Sequence, residues 1–188
     1  MRFQQRVYPL VLIVTLLGNF VSVTNSFATW TPTQIASGTG LSNAPHTAVA
    51  ISPNGTVGIV YVKHDSLLFQ EKVSGSSSWT PPYVVMNQDT RGSASLAYDN
   101  IGQPWIFYCR AWSSAQLEWK KRSTSGAWDG VGVVDNFDSP ADFGTGTSAA
   151  VDASGTMHVV YVRWGMHDLY MATAGPNNSW SLQGIDAD

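Results

Sequence analysis

Three stretches of this chain share one pattern of apolar and polar positions, without a gap between them: "TAVAISPNGTVGIVYV" (47–62), "ASLAYDNIGQPWIFYC" (94–109) and "TSAAVDASGTMHVVYV" (147–162). Each begins with a short run of small and apolar residues, turns at Asn, Asp and Gly, and continues into a run that is apolar on both faces. Superposition aligns Ala50, Ala97 and Ala150, then Gly55, Gly102 and Gly155, then Tyr61, Tyr108 and Tyr161. A strand with one wet face alternates; a strand that is apolar throughout is covered on both sides. The aligned glycines take positive φ at no steric cost, as a tight hairpin requires. The pattern therefore predicts repeated hairpins inside packed sheets.

Each unit reads as four short strands, for example "TAVAI", "VGIVYV", "LLFQEKV" and "WTPPYVV", with turn chemistry between them. Tryptophan marks the unit at Trp30, Trp79, Trp128 and Trp180, spaced 49, 49 and 52 residues apart, with a leucine (Leu68, Leu117, Leu169) 11 residues before each of the last three. A period near 50 is that of a propeller blade. The first strand is rich in Ala and Ser, as suits the innermost strand where sheets converge on an axis. The expected fold is all-β, a propeller of four-stranded antiparallel blades with about three present. The repeats run 30–78, 79–127 and 128–179, and 180–188 starts a further blade. Closure needs roughly 4–8 blades, so the chain is expected to be the first part of a longer propeller, with self-assembly into a ring as the alternative.

Composition supports this. The chain is 44% hydrophobic and 12% charged, with eight Trp and seven Tyr, far too apolar for a disordered segment and rich in strand formers. Residues 1–28 differ: Arg2 and Arg6 precede the apolar run "VYPLVLIVTLLGNFVSV" and then small residues at Ser26 and Ala28. This is the layout of a cleaved signal peptide, which makes the protein secreted, periplasmic or cell-surface; an uncleaved segment would be its only membrane attachment. Residues 29–188 hold 8 basic and 13 acidic residues, a formal charge of about −5 and no sign of a nucleic-acid partner. The single Cys109 cannot form an internal disulfide and aligns with Val62 and Val162, so it reads as a small buried hydrophobe. Asn54-Gly55-Thr56 and Asn177-Asn178-Ser179 are glycosylation sequons, relevant only in a eukaryotic host.

Loop lengths locate candidate chemistry, because constant turns hold structure while variable loops carry function. The distances from Tyr to Leu (7, 9 and 8) and from Trp to the next Gly (25, 23 and 27) vary, whereas Gly to Tyr and Leu to Trp do not. In a four-stranded meander all of this variation falls on one rim. That rim collects Lys63, Arg110 and Arg163, one cation per unit two residues after the repeated Tyr, together with Trp112, Trp164 and Asp168. Guanidinium groups that grip a carboxylate and indoles that stack on sugar rings would make a clamp for a glycan or an anionic sugar. The same cations have a second duty open to them, pairing with Asp89, Asp138, Asp142 or Asp168 to hold blades in register. Asp99 and Asp152 read as turn residues, and Trp79, Trp128 and Trp180 as packing residues. Four scattered histidines, His167 beside Asp168 included, lack ligand spacing, so no metal and no cofactor is expected.

The stretch "SAAVDASGTMHVVYV" followed by "DLYMATAGPNNSWSLQGID" resembles the repeat of bacterial exported propellers of the sialidase-like superfamily, over residues 30–188. The resemblance implies a glycan-facing module. It also implies a rival reading, the N-terminal part of an exo-sialidase-like glycoside hydrolase whose chemistry lies beyond residue 188. Sialidases carry an Arg-Ile-Pro stretch and Asp boxes; this sequence has no Arg-Ile-Pro, and "YDNIGQPW" (98–105) only loosely echoes the box. Glu71 and Glu118 both fall on an expected third strand, away from the variable rim, so no carboxylate pair is in view. The expected function is an exported carbohydrate-binding or cell-surface interaction propeller without a visible catalytic set.

Overall fold

The strands form where the apolar runs lie. The computed structural model describes residues 34–35, 47–87, 93–110, 116–137, 144–163 and 167–186. Their strands are β1 Thr47–Ile51, β2 Val57–Lys63, β3 Ser66–Lys72, β4 Tyr83–Asn87, β5 Ala94–Tyr98, β6 Pro104–Arg110, β7 Gln116–Lys121, β8 Gly132–Asn136, β9 Gly144–Val151, β10 Met157–Arg163, β11 Asp168–Ala174 and β12 Trp180–Asp186. They make three four-stranded antiparallel sheets, β1–β4, β5–β8 and β9–β12, each in simple meander order. The first strands lie side by side, β1 against β5 and β5 against β9. This is the expected partial propeller, its Ala- and Ser-rich strands innermost. All but Gln34 of the described residues belong to one body, Ile35–Asp188.

The first turn of every sheet is built the same way. Gly55, Gly102 and Gly155 hold φ of 82°, 81° and 89°, and their amides donate to the carbonyls of Ser52, Asp99 and Asp152. The side chains at those three positions accept from the amide four residues on, at 2.9, 2.8 and 2.9 Å. This is the turn duty expected of Asp99 and Asp152.

Ladder register sharpens the repeat. Val62 pairs with Leu67, Cys109 with Leu117 and Val162 with Leu169. The leucine equivalent to Leu117 and Leu169 is thus Leu67 and not Leu68. The cause is the short β2–β3 hairpin, whose two turn residues His64 and Asp65 both take positive φ, the tightest hairpin connection available. Trp180 opens β12, so residues 180–186 complete the third sheet rather than start a further blade, whereas Trp79 and Trp128 stand before β4 and β8.

Each sheet has a face toward the preceding sheet and a face toward the next. The forward face of the first sheet (Val60, Val62, Leu67, Phe69) packs on the backward face of the second (Leu96, Tyr98, Ile106, Tyr108). The forward face of the second (Trp105, Phe107, Leu117, Trp119) packs on Met157, Val159, Tyr161 and Ala172 of the third. In the second sheet, covered on both faces, β5 is buried along its whole length and β6 along all but its last residue, whereas β2 and β10 of the outer sheets alternate between buried and half-buried positions. Trp128 stacks on Tyr83 at 4.6 Å and meets Phe69 edge-on, and Trp180 meets Phe107 edge-on at 5.6 Å. Both tryptophans therefore serve packing between sheets.

Candidate functional site

The variable rim carries the three cations at one height, opposite Ser66, Gln116 and Asp168 in the ladders. Trp112 and Trp164 lie outside the described residues, as do Asp89, Asp138, Asp142 and loops 88–92, 111–115, 138–143 and 164–166. Arg163 has a structural engagement. Its Nε and Nη2 donate to both oxygens of Asp135 on β8, at 2.7–3.1 Å, and its guanidinium lies 4.5 Å from the centre of the Tyr170 ring. The Tyr161 hydroxyl donates to the same carboxylate at 2.6 Å. Arg163 thus ties the third sheet to the second, through a partner outside the sequence-based set of aspartates. Asp168 ends its ladder beside Arg163.

Arg110 is half-exposed and sits 3.5 Å from the buried carboxylate of Glu118. Sequence reasoning put Glu118 away from this rim; the ladder sets it opposite Tyr108, two residues from Arg110. The discrepancy arises from register, because β7 starts at Gln116, only two residues before Glu118. Burial, and after it the Glu118 charge, push the Tyr108 hydroxyl pKa well above its ordinary value, so this Tyr–Glu couple is a poor source of a nucleophile. Lys63 is half-buried at the end of β2.

A cavity lies at the opposite rim, between the second and third sheets. It measures about 330 Å³ and is lined by Asp99, Trp105, Lys121, the Ser154–Met157 turn, Ala174, Gly175, Asn177 and Asn178. Asp99 organises one wall. One carboxylate oxygen holds the turn, and the other accepts from the Trp105 indole at 3.2 Å and lies 3.4 Å from the Lys121 ammonium. That ammonium stands 4.5 Å from the centre of the Trp105 ring, which fixes the indole. The opposite wall is Ala174 and the turn after it, where Asn177 and Asn178 both adopt positive φ, a conformation that asparagine tolerates better than most residues. The cavity thus gathers hydroxyl, amide, ammonium and carboxylate groups beside an indole, at the lower end of the volumes used by small-molecule sites.

Ladder register explains why this cavity exists. At the equivalent place between the first and second sheets, the second sheet contributes Tyr98 and Arg122. Tyr98 fills the space above Gly58, where a Cβ would stand 2.3 Å from its hydroxyl. Arg122 makes two bonds to Glu71, at 2.6 and 2.8 Å. The third sheet has Val151 and Ala174 at these two positions. Sequence reasoning read Asp99 as a turn residue only and did not single out Trp105 or Lys121. The available signal was the loss of the large pair, Tyr98 and Arg122, in the third unit.

No family model matches the chain, and no curated protein matches it. Solved structures do. The AofleA protein of Arthrobotrys oligospora matches at 14% identity and TM-score 0.54, over 74% of this chain and 41% of its own. A mutant of the Aleuria aurantia lectin in complex with Fucalpha1-6GlcNAc matches at 16% and 0.51, over 76% and 45%. An endo-arabinase from Bacteroides thetaiotaomicron matches at 13% and 0.50, over 82% and 67%. The fold is a β-propeller. This chain spans less than half the length of the first two proteins, and at these identities the likeness concerns architecture alone.

Proposed function

We propose that this chain is the exported, carbohydrate-binding part of a β-propeller, and that it holds a sugar in the cavity between its second and third sheets. The observation that carries the proposal is the 330 Å³ cavity with Asp99, Trp105 and Lys121 on one wall and Asn177 and Asn178 on the other. Donors and acceptors this close together suit a ring bearing several hydroxyls. The two charged residues of the lining are paired with each other, which favours a neutral sugar over a carboxylated one. The Aleuria aurantia lectin, solved with Fucalpha1-6GlcNAc, makes fucosylated glycans the first probes. Export rests on residues 1–28, read as a signal peptide that would leave the protein secreted, periplasmic or on the cell surface.

A glycan array containing neutral and sialylated arms tests this reading. Binding to neutral glycans that falls about tenfold in Lys121→Ala, with an unchanged unfolding midpoint, is the expected result. Binding only to sialylated arms, lost in Arg110→Ala, would move the site to the opposite rim, where Lys63, Arg110, Trp112, Arg163, Trp164 and Asp168 form the rival set. No binding on any arm would leave a purely structural propeller.

A further inference from the structure

The first and third sheets each leave one face without a neighbouring sheet among the described residues, and ladder register shows what those faces are made for. On the backward side, Val49, Ile51, Ile59 and Tyr61 of the first sheet stand where the second has Leu96, Tyr98, Ile106 and Tyr108. In the second sheet all four are buried; Val49 and Ile51 are each 68% exposed. A hollow of about 340 Å³ lies on this face, bordered by Ile35, Val49, Ile59 and Tyr61.

On the forward side, Ala150, Val160, Val162 and Leu169 of the third sheet occupy the ladder positions of Ala50, Val60, Val62 and Leu67 in the first, identical residues in all four cases. In the first sheet this set packs against the second. In the third, Ala150 is exposed and Val160, Val162 and Leu169 are only half-buried. The open forward face is thus nearly a copy of a covered one, and the open backward face repeats two of the side chains that cover it, Ile59 for Ile106 and Tyr61 for Tyr108, with apolar Val49 and Ile51 in place of Leu96 and Tyr98.

We propose that the two faces bind each other between two copies of this chain, the forward face of one copy's third sheet seating on the backward face of the other's first sheet. The contact is heterologous, so it closes only as a ring. Two copies bring three sheets each, a total inside the roughly 4–8 blades of closed propellers. The interface continues the stacking already present between the first and second sheets and between the second and third. It does not depend on the sugar-binding reading.

Sedimentation velocity and light scattering on the full chain test the proposal. A discrete species of twice the monomer mass at micromolar concentration is expected. A monomer at all concentrations, as when further blades of a longer chain fill both faces, overturns it, and so does open-ended polymer. Val49→Lys breaks only the backward face and Val160→Lys only the forward face, so each variant alone is expected to be monomeric with a native β-type circular dichroism spectrum. A mixture of the two retains one intact pair of faces and is expected to form a one-to-one heterodimer, which also shows that both variants are folded. A mixture that stays monomeric while both spectra are native overturns the head-to-tail interface.

Discussion

The seam between the first and second sheets is closed by Tyr98 and by the Arg122–Glu71 pair, whereas at the same ladder positions the seam between the second and third has Val151 and Ala174 and opens into a cavity. Each seam nonetheless contains a part-buried Arg paired with a buried carboxylate. In the first it lies at the hairpin rim, where the cavity would otherwise be. In the second it lies at the far rim, as Arg163 with Asp135. The polar fastening has in effect changed ends. A repeat can therefore keep its stacking while freeing one rim for a ligand, provided another pair holds the sheets at the other rim.

The largest test removes that second fastening. Asp135→Ala leaves the Arg163 guanidinium, whose side chain is only 14% exposed, and the Tyr161 hydroxyl without their acceptor. Loss of one partner of such a pair costs about 3–5 kcal/mol, read as a lower urea midpoint. Arg122→Ala does the corresponding damage at the first seam. Because a quarter of that side chain is exposed, the expected loss is smaller, about 2 kcal/mol. If the two variants cost the same, or Asp135→Ala costs less, the proposed exchange of fastenings between rims is wrong.

Next in size is conversion of the open seam into a closed one. Ala174→Arg puts into the third sheet what Arg122 is in the second, beside Lys121 in place of Glu71. Glycan binding is expected to fall at least tenfold, or about 1.4 kcal/mol, while the unfolding midpoint moves by less than about 1 kcal/mol. Retained affinity in a folded variant would exclude this cavity as the sugar site.

The smallest effect is silent at ordinary pH. Burial raises the hydroxyl pKa values of Tyr98 and Tyr161, with Glu71 and Asp135 adding to the shifts. The folded chain keeps protons that the unfolded chain gives up above a pH of about 10, so this stabilisation is complete below that pH and is lost as pH rises beyond it. Alkaline titration of unfolding should show a flat profile to about pH 9 and a fall above 10. Tyr98→Phe should flatten the fall by relieving the first seam, and Tyr161→Phe by relieving the second.

Much of this was legible from residue patterns. The uninterrupted apolar runs "IVYV", "IFYC" and "VVYV", the recurrent Gly and the Ala-rich first strands led to stacked four-stranded sheets because each reports a backbone or burial demand that only a few architectures meet. The site was less legible. Conserved spacing pointed to Lys63, Arg110 and Arg163, yet spacing reports where a side chain stands and not which group across the seam receives it. Asp135, the partner of Arg163, belongs to another strand of another sheet. The cavity depends on two replacements, Tyr98 by Val151 and Arg122 by Ala174, which the aligned repeats contain but whose meaning appears only once the ladders show both positions facing the preceding sheet at one rim.

The lone sulfhydryl of the chain sits in the same seam as the proposed sugar. Cys109 is 1% exposed, and burial pushes its pKa up to about 12, so at neutral pH it is protonated and shielded from alkylating reagents. It becomes reactive only when the second and third sheets part, which makes its labelling half-life a built-in clock for transient breathing at that seam. A sugar that bridges the two walls should slow the clock, with no dye or engineered probe added to the protein.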